Sequence, residues 1–364
     1  MKAQERILGW DLLRGLSAIA VAAYHLLLWQ GVAAVHAWGS YGVYLFFVLS
    51  GASLAYTYAP RLQTGTFGYG RFLWVRYMRL APLYIALVVV VLPWKLHREG
   101  WSLELGGQLL LNATFLFGLH DPALQSLLVG GWSLGVEAMF YLLFPLLLWA
   151  AVRPGWGAAV FIALLVTQAG WVMATAGAPS GYAVNAVRYH QLPAFAGYFM
   201  GGCLLGLARL KDGPQGWAAL PGSMLLVTGF ALLLTLNPAR QGDELLGWRG
   251  PLFAALCFAM VWVAGGLRLR RQSDRFATTL GDATYGVYLL HPVLYFGLAF
   301  VVLPRLGLSD PAQWPLGVQT VFMVLLLGTA FGLAVLIERR LERPLREWSK
   351  RRSAGQSEAA SISS

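Results

Sequence analysis

Four short stretches of this 364-residue chain carry side chains that could do chemistry in otherwise apolar surroundings. In the first, Arg14 is followed by ten residues and then His25. Eleven steps at 3.6 residues per turn make about three turns, so on a helix the two side chains share a face about 16 Å apart. Asp11, one turn earlier, is placed to hold the guanidinium. In the second stretch, Arg76 and Arg79 lie one turn apart on one face. With Arg14 at the same level, three forked cations suit the oxygens of a polyphosphate. Snorkelling of Arg76 and Arg79 to lipid headgroups accounts for that pair equally well. The third stretch runs Gly131-Trp132-Ser133-Leu134-Gly135-Val136-Glu137. A Glu137 carboxylate at the depth of His25 would fix the imidazole tautomer and raise its basicity, completing a general-base dyad. The plainer reading has Glu137 facing Ser or Thr across a helix interface. In the fourth, Tyr285-x-x-Tyr288-Leu-Leu-His291-Pro292, the proline must leave a helix carbonyl unpaired. His291 either satisfies that carbonyl or lines a substrate cavity.

The elements that hold these residues are membrane helices. Hydrophobic residues make up 58% of the chain, charged residues 12%, and the mean hydropathy is +0.60. A soluble chain carries roughly a quarter charged residues. Apolar stretches long enough to cross a hydrocarbon core about 30 Å thick recur from end to end. We expect spans over 12–33, 41–58, 73–92, 131–152, 157–176, 192–208, 217–236, 250–267, 283–303 and 317–337. The fold class is therefore an all-α, polytopic transmembrane helical bundle of about ten spans. The N-terminal run is no cleavable signal, because it holds Arg14 and His25 and is too long. A single transmembrane domain is expected over 1–352, with a small, polar, disordered cytoplasmic tail over 353–364. Cys203 and Cys257 fall inside apolar stretches as small hydrophobes, which excludes a disulfide scaffold.

Segment 104–118 is short for a span and holds Gly106, Gly107, Gln108 and Asn112. Charge decides how it is read. If it does not cross, only Lys95, Arg98, Arg188, Arg240, Arg249 and Arg305 fall outside, and the other 21 of 27 basic residues fall inside. If it crosses, the clusters at 268–275 and 339–352 move outside. A re-entrant or surface-lying segment is therefore expected, with both termini cytoplasmic. The net charge of +11 reflects this bias. No basic face with interleaved aromatics points to nucleic acid. The six histidines show no ligand spacing, so no metal is implied.

Taken in order, these segments resemble the acyltransferase type 3 family of integral membrane O-acyltransferases, which modify bacterial glycans and related acceptors. The matching residues are Arg14-x10-His25, Gly42-Val-Tyr-Leu-Phe46-Phe47-Val-Leu-Ser50-Gly51, Arg76-x-x-Arg79 and Trp132-Ser133-Leu134-x-Val136-Glu137 with Phe140-Tyr141. Tyr285-x-x-Tyr288-Leu-x-His291-Pro292 and Glu338-Arg-Arg-Leu-Glu342-Arg-Pro344-Leu-Arg346 complete the set. Ala52 stands where the family frequently has Phe, and no fused extracytoplasmic esterase-like domain is expected.

The resemblance implies an acyl-CoA donor, commonly acetyl-CoA, and an acceptor hydroxyl presented from the outer side by a glycan or lipid-linked saccharide. In that picture Arg14, Arg76 and Arg79 hold the donor phosphates. The pantetheine arm runs along the first span, and His25, oriented by Glu137, takes the acceptor proton. Trp132, Ser133, Tyr288 and His291 line the substrate side. The expected setting is the bacterial cytoplasmic (inner) membrane, with membrane lipids as neighbours. Buried Arg, Glu and His also mark transport pathways, so a transporter or flippase of a glycolipid or acyl carrier stays open. Against it, no inverted repeat or matched pair of broken helices is seen.

Overall fold

The computed structural model describes residues 5–212, 219–269, 271–349 and 351. The tail expected over 353–364 lies outside the described residues. Twelve helices carry the architecture: α1 (Leu8–Trp29), α2 (His36–Gln63), α3 (Tyr69–Glu99), α4 (Leu103–Thr114), α5 (Trp132–Ala151) and α6 (Trp156–Ala174), followed by α7 (Gly181–Tyr189), α8 (Ala196–Asp212), α9 (Ala219–Thr235), α10 (Arg249–Gly266), α11 (Arg271–Gly297) and α12 (Leu316–Ile337). Two π-helical turns, Leu298–Val302 and Glu338–Glu342, extend α11 and α12.

Eight helices among the described residues are long and apolar enough to cross a membrane. Two further expected spans are also helical. Spans 192–208 and 217–236 are realised as α8 and α9, which border residues 213–218 outside the described set. Helix α4 has 12 residues, or about 18 Å, and lies against the bundle without the length to cross it. Asn112, buried in α4, organises the connection that follows. Its amide donates to Gln108 O (2.7 Å) and Gln125 O (2.8 Å), and its Oδ1 accepts from the Leu127 amide (3.0 Å) and the Tyr84 hydroxyl.

Burial ranks the helices by position. In its most apolar window α2 is 72% buried, whereas α6 is 11% and α12 17% buried. Helix α2 is therefore the central post, and α6 and α12 present apolar faces outward. Against α2 lies α8, at backbone contact. A Cβ at Gly202 would meet the Val48 carbonyl, one at Gly206 the Ala52 carbonyl, and one at Gly51 the backbone of Phe199 and Cys203. In an apolar solvent helices associate through such close packing rather than by water exclusion. The seam fixes the rotation of α2, and with it the direction of Ser50 and Ser53.

Gly202→Leu is expected to wedge this seam apart and destabilise the fold by about 1–3 kcal/mol, as overpacking does. Thermal unfolding followed by size-exclusion in detergent checks this. An unchanged midpoint would show that the seam tolerates separation.

Candidate active site

The N-terminal end of α1 builds a charged chain in which each buried ion has a partner. Asp11, 5% exposed, accepts from Arg6 Nε and from Arg14 Nη1 (3.1 Å). Arg6 also donates to Asp282 on α11 (2.6 Å). Arg14 in turn donates to the Ser53 hydroxyl and to Leu49 O (3.3 Å) on α2. Gly281 makes room for this, because a Cβ there would run into Asp11. The expected grip of Asp11 on Arg14 is present, and it ties α1, α2 and α11 together.

Arg14 opens onto a cavity of about 520 Å³ that is also lined by Arg76, Arg79, Ser50, Ser53, Glu137 and Tyr141. The guanidinium of Arg76 sits over the rings of Tyr58 (4.8 Å) and Tyr141 (5.5 Å), with its Nε buried and without a partner. Neither Arg76 nor Arg79 has a carboxylate within ion-pairing distance among the described residues. Two cations with spare donors beside a third that is pinned present the kind of donors that the oxygens of a polyanion accept from. All three arginines singled out by spacing line this one cavity.

On the wall facing them stands a set that the sequence left without a role. Glu338 and Glu342 line the cavity from the π-helical turn below α12. Arg346 clasps Glu338 with both guanidinium nitrogens and lies 3.5 Å from Glu342 Oε2. Glu342 Oε1 is buried with no partner. The signal for this set was present as an acid–acid–base stripe at four-residue spacing, which lies along one helix face.

The cavity floor is a ring of hydroxyls. Tyr288 and Ser133 lie 2.9 Å apart, and both reach the Gly130 carbonyl, at 2.9 and 3.0 Å. One turn further along α11 is His291, 1% exposed, whose Nε2 lies 3.0 Å from Nδ1 of His25. The imidazole of His25 is further sandwiched by Trp29, with ring centroids 4.9 Å apart and planes 11° off parallel. His25 and His291 thus form a pair immediately behind the floor, and Tyr288 separates them from the cavity.

The expected dyad of His25 with Glu137 is not formed. Glu137 accepts through Oε1 from Ser50 (2.7 Å) and from Tyr141 (2.7 Å), on the cavity side of the floor. The cause lies in the connection after α4. It folds back into the bundle through the short turns Leu116–Leu119 and Pro122–Gln125, with Gly118 packed on the backbone of Gly135. Helix α5 therefore starts beside Tyr288 rather than at the protein's surface, and Glu137 is carried past His25 towards the arginines. Residues 104–118 behave as the expected non-crossing segment, but their effect on the register of α5 was not foreseen.

The four residues expected on the substrate side divide. Ser133 and Tyr288 form the cavity floor, and His291 backs His25. Trp132 faces a different quarter, its ring 4.2 Å from that of His190 and 5.3 Å from that of Phe195. His190 contacts Ala186 O through Nδ1 (2.7 Å) and the Tyr182 hydroxyl through Nε2 (3.3 Å). Burial pushes the His190 imidazole down to about 4, so at neutral pH it is an uncharged ring extending the face of Trp132.

A bundle of this kind, with an arginine cavity leading to an occluded histidine, has the parts of a membrane group-transfer enzyme. A family model described as an acyltransferase domain matches residues 7–339, and the chain belongs to that acyltransferase family, as its motifs led us to expect. It is an integral membrane acyltransferase. The exopolysaccharide production protein ExoZ of Rhizobium meliloti (strain 1021) is 29% identical over 319 residues, covering 84% of this chain and 89% of that protein. No solved structure matches the chain significantly.

Glu137 anchors two hydroxyls, which gives a direct check of its placement. Glu137→Gln keeps an oxygen acceptor for Ser50 and Tyr141 and is expected to hold stability within about 1 kcal/mol. Glu137→Leu leaves both donors unsatisfied and is expected to cost about 1–3 kcal/mol for each one that stays buried. Thermal unfolding of both variants measures the difference. Equal midpoints would mean that Ser50 and Tyr141 do not depend on this carboxylate.

Proposed function

We propose that the protein is a membrane-bound O-acyltransferase that moves an acyl group, preferentially acetyl, from acyl-CoA to a hydroxyl of a glycan or lipid-linked saccharide. The donor phosphates occupy the cavity lined by Arg14, Arg76 and Arg79. The pantetheine arm follows α1 towards the floor, and the thioester carbonyl arrives at Tyr288 and Ser133. The hydroxyls of these two residues can donate to the carbonyl oxygen once they release Gly130, stabilising the charge that develops there. His25 accepts the proton from the acceptor hydroxyl as that oxygen attacks, and thiol and ester are the products. The saccharide approaches from the side of Trp132 and His190, whose uncharged rings suit the apolar face of a sugar.

The observation that carries this reading is the layout along α1. A polyanion receptor at one end and a histidine near the other are separated by a distance suited to an extended pantetheine arm. The polysaccharide connection of the similar ExoZ supports a glycan acceptor. The excess of basic residues on the loops at the arginine end supports a cytoplasmic donor, with the bacterial inner membrane as the setting. No step in this scheme uses a metal.

Purified protein in nanodiscs, supplied with acetyl-CoA and a panel of saccharides, is expected to release thiol. His25→Ala should lower turnover by about 10²–10⁴-fold, the usual contribution of a general base. Arg14→Ala should raise the donor KM as well, because it removes a phosphate contact. Thiol release unaffected by His25→Ala would overturn the assignment of the base. Movement of a lipid-linked saccharide between leaflets without thiol release would overturn the enzyme reading in favour of transport.

A further inference from the structure

The contact between His25 and His291 fixes where protons can sit, and the backbone of α11 decides the answer. Nδ1 of His291 lies 3.0 Å from the carbonyl oxygen of Val287, one turn earlier on the same helix. A carbonyl can only accept, so this nitrogen carries a proton. In neutral His291 the other nitrogen, Nε2, is then a bare acceptor. It faces His25 Nδ1 at 3.0 Å, and two bare nitrogens would repel at that distance. The proton in this contact must therefore belong to His25 Nδ1.

The remaining nitrogen of His25 follows by elimination. Nε2 has no hydrogen-bond partner among the described residues, and it is not one of the buried polar atoms left unpaired. It is thus an unprotonated lone pair that an incoming group can reach. Trp29 stacked on one face of His25, with planes 11° off parallel, and the edge-to-edge contact with the His291 ring, 17° off coplanar, hold the imidazole from turning over.

We propose that His291 is a positioning residue that locks His25 in the Nδ1–H tautomer through a relay anchored on the Val287 carbonyl, so that Nε2 of His25 is the proton-accepting atom. In this arrangement a neutral imidazole does what a carboxylate does beside many catalytic histidines. It orients the base and accepts from the imidazolium once the proton has moved, without adding a buried negative charge. When the acceptor O–H bond breaks, its proton passes to His25 Nε2, and the bond between Nδ1–H and His291 tightens as the ring becomes cationic. The assignment of His25 as the base belongs to the function proposed above, whereas the tautomer does not depend on it.

The experiment reads both. Protein labelled with ¹⁵N at histidine is studied by NMR in nanodiscs, with the His25 signals identified by their loss in His25→Gln. Wild type is expected to show a protonated Nδ1 and a bare Nε2 on His25. His291→Leu removes the acceptor and should populate the opposite tautomer. His291→Gln, whose amide offers an acceptor and a donor, should restore the wild-type pattern. In the thiol-release assay His291→Leu should lower kcat by about 10–10²-fold, with donor KM changed by less than about twofold, since positioning contributes to the proton-transfer step rather than to donor binding. His291→Gln should recover most of that loss.

A wild-type His25 protonated at Nε2 would overturn the proposal whatever the variants do. So would a Leu variant with an unchanged tautomer and kcat. If wild type releases no thiol, the acyl-transfer reading fails while the spectra still decide the relay.

Discussion

Everything in this bundle depends on the burial of a single carboxylate. A charge taken into an apolar interior is retained only if it is paired, and Asp11 is paired twice, with Arg6 and with Arg14. Because Arg14 is held from below by Asp11 and from the side by Ser53, its guanidinium keeps one orientation with no ligand present. Because Arg6 continues to Asp282, the start of α1 is tied to α11, the helix that carries Tyr288 and His291. The arginine cavity and the histidine pair are thus registered to each other by an ion chain at one end and by ring contacts at the other.

Much of the chemistry was legible in the sequence, because helical periodicity is a local property. The shared face of Arg14 and His25, the hold of Asp11, and the convergence of Arg76 and Arg79 all follow from spacing at 3.6 residues per turn. The partner of His25 did not follow, because it depends on where α5 begins in three dimensions. Counting inward from the expected surface put Glu137 at the depth of His25. The folded-back connection organised by Asn112 starts α5 deeper and exchanges Glu137 for His291. Nothing within a window of α5 residues records that displacement.

Proline and π-helical turns recur where the site needs backbone freedom. Pro292 directly follows His291, and the turn Glu338–Glu342 brings two carboxylates and Arg346 to the cavity wall. The four-residue spacing keeps these side chains on one face, and that face lines the cavity. Such turns are frequent at functional sites.

The hydroxyl ring at the cavity floor has one further consequence. A membrane protein that admits a water-filled vestibule from one side and keeps a titratable imidazole near the other risks becoming a proton wire, which would drain the potential its host maintains. Tyr288, 5% exposed, lines the arginine cavity, and His291, 1% exposed, lies between it and His25. The floor hydroxyls close on Gly130 and on each other, so in this state they offer no free donor to a water file. Any group that passes from the cavity to His25 must first part the closure that bars a proton path.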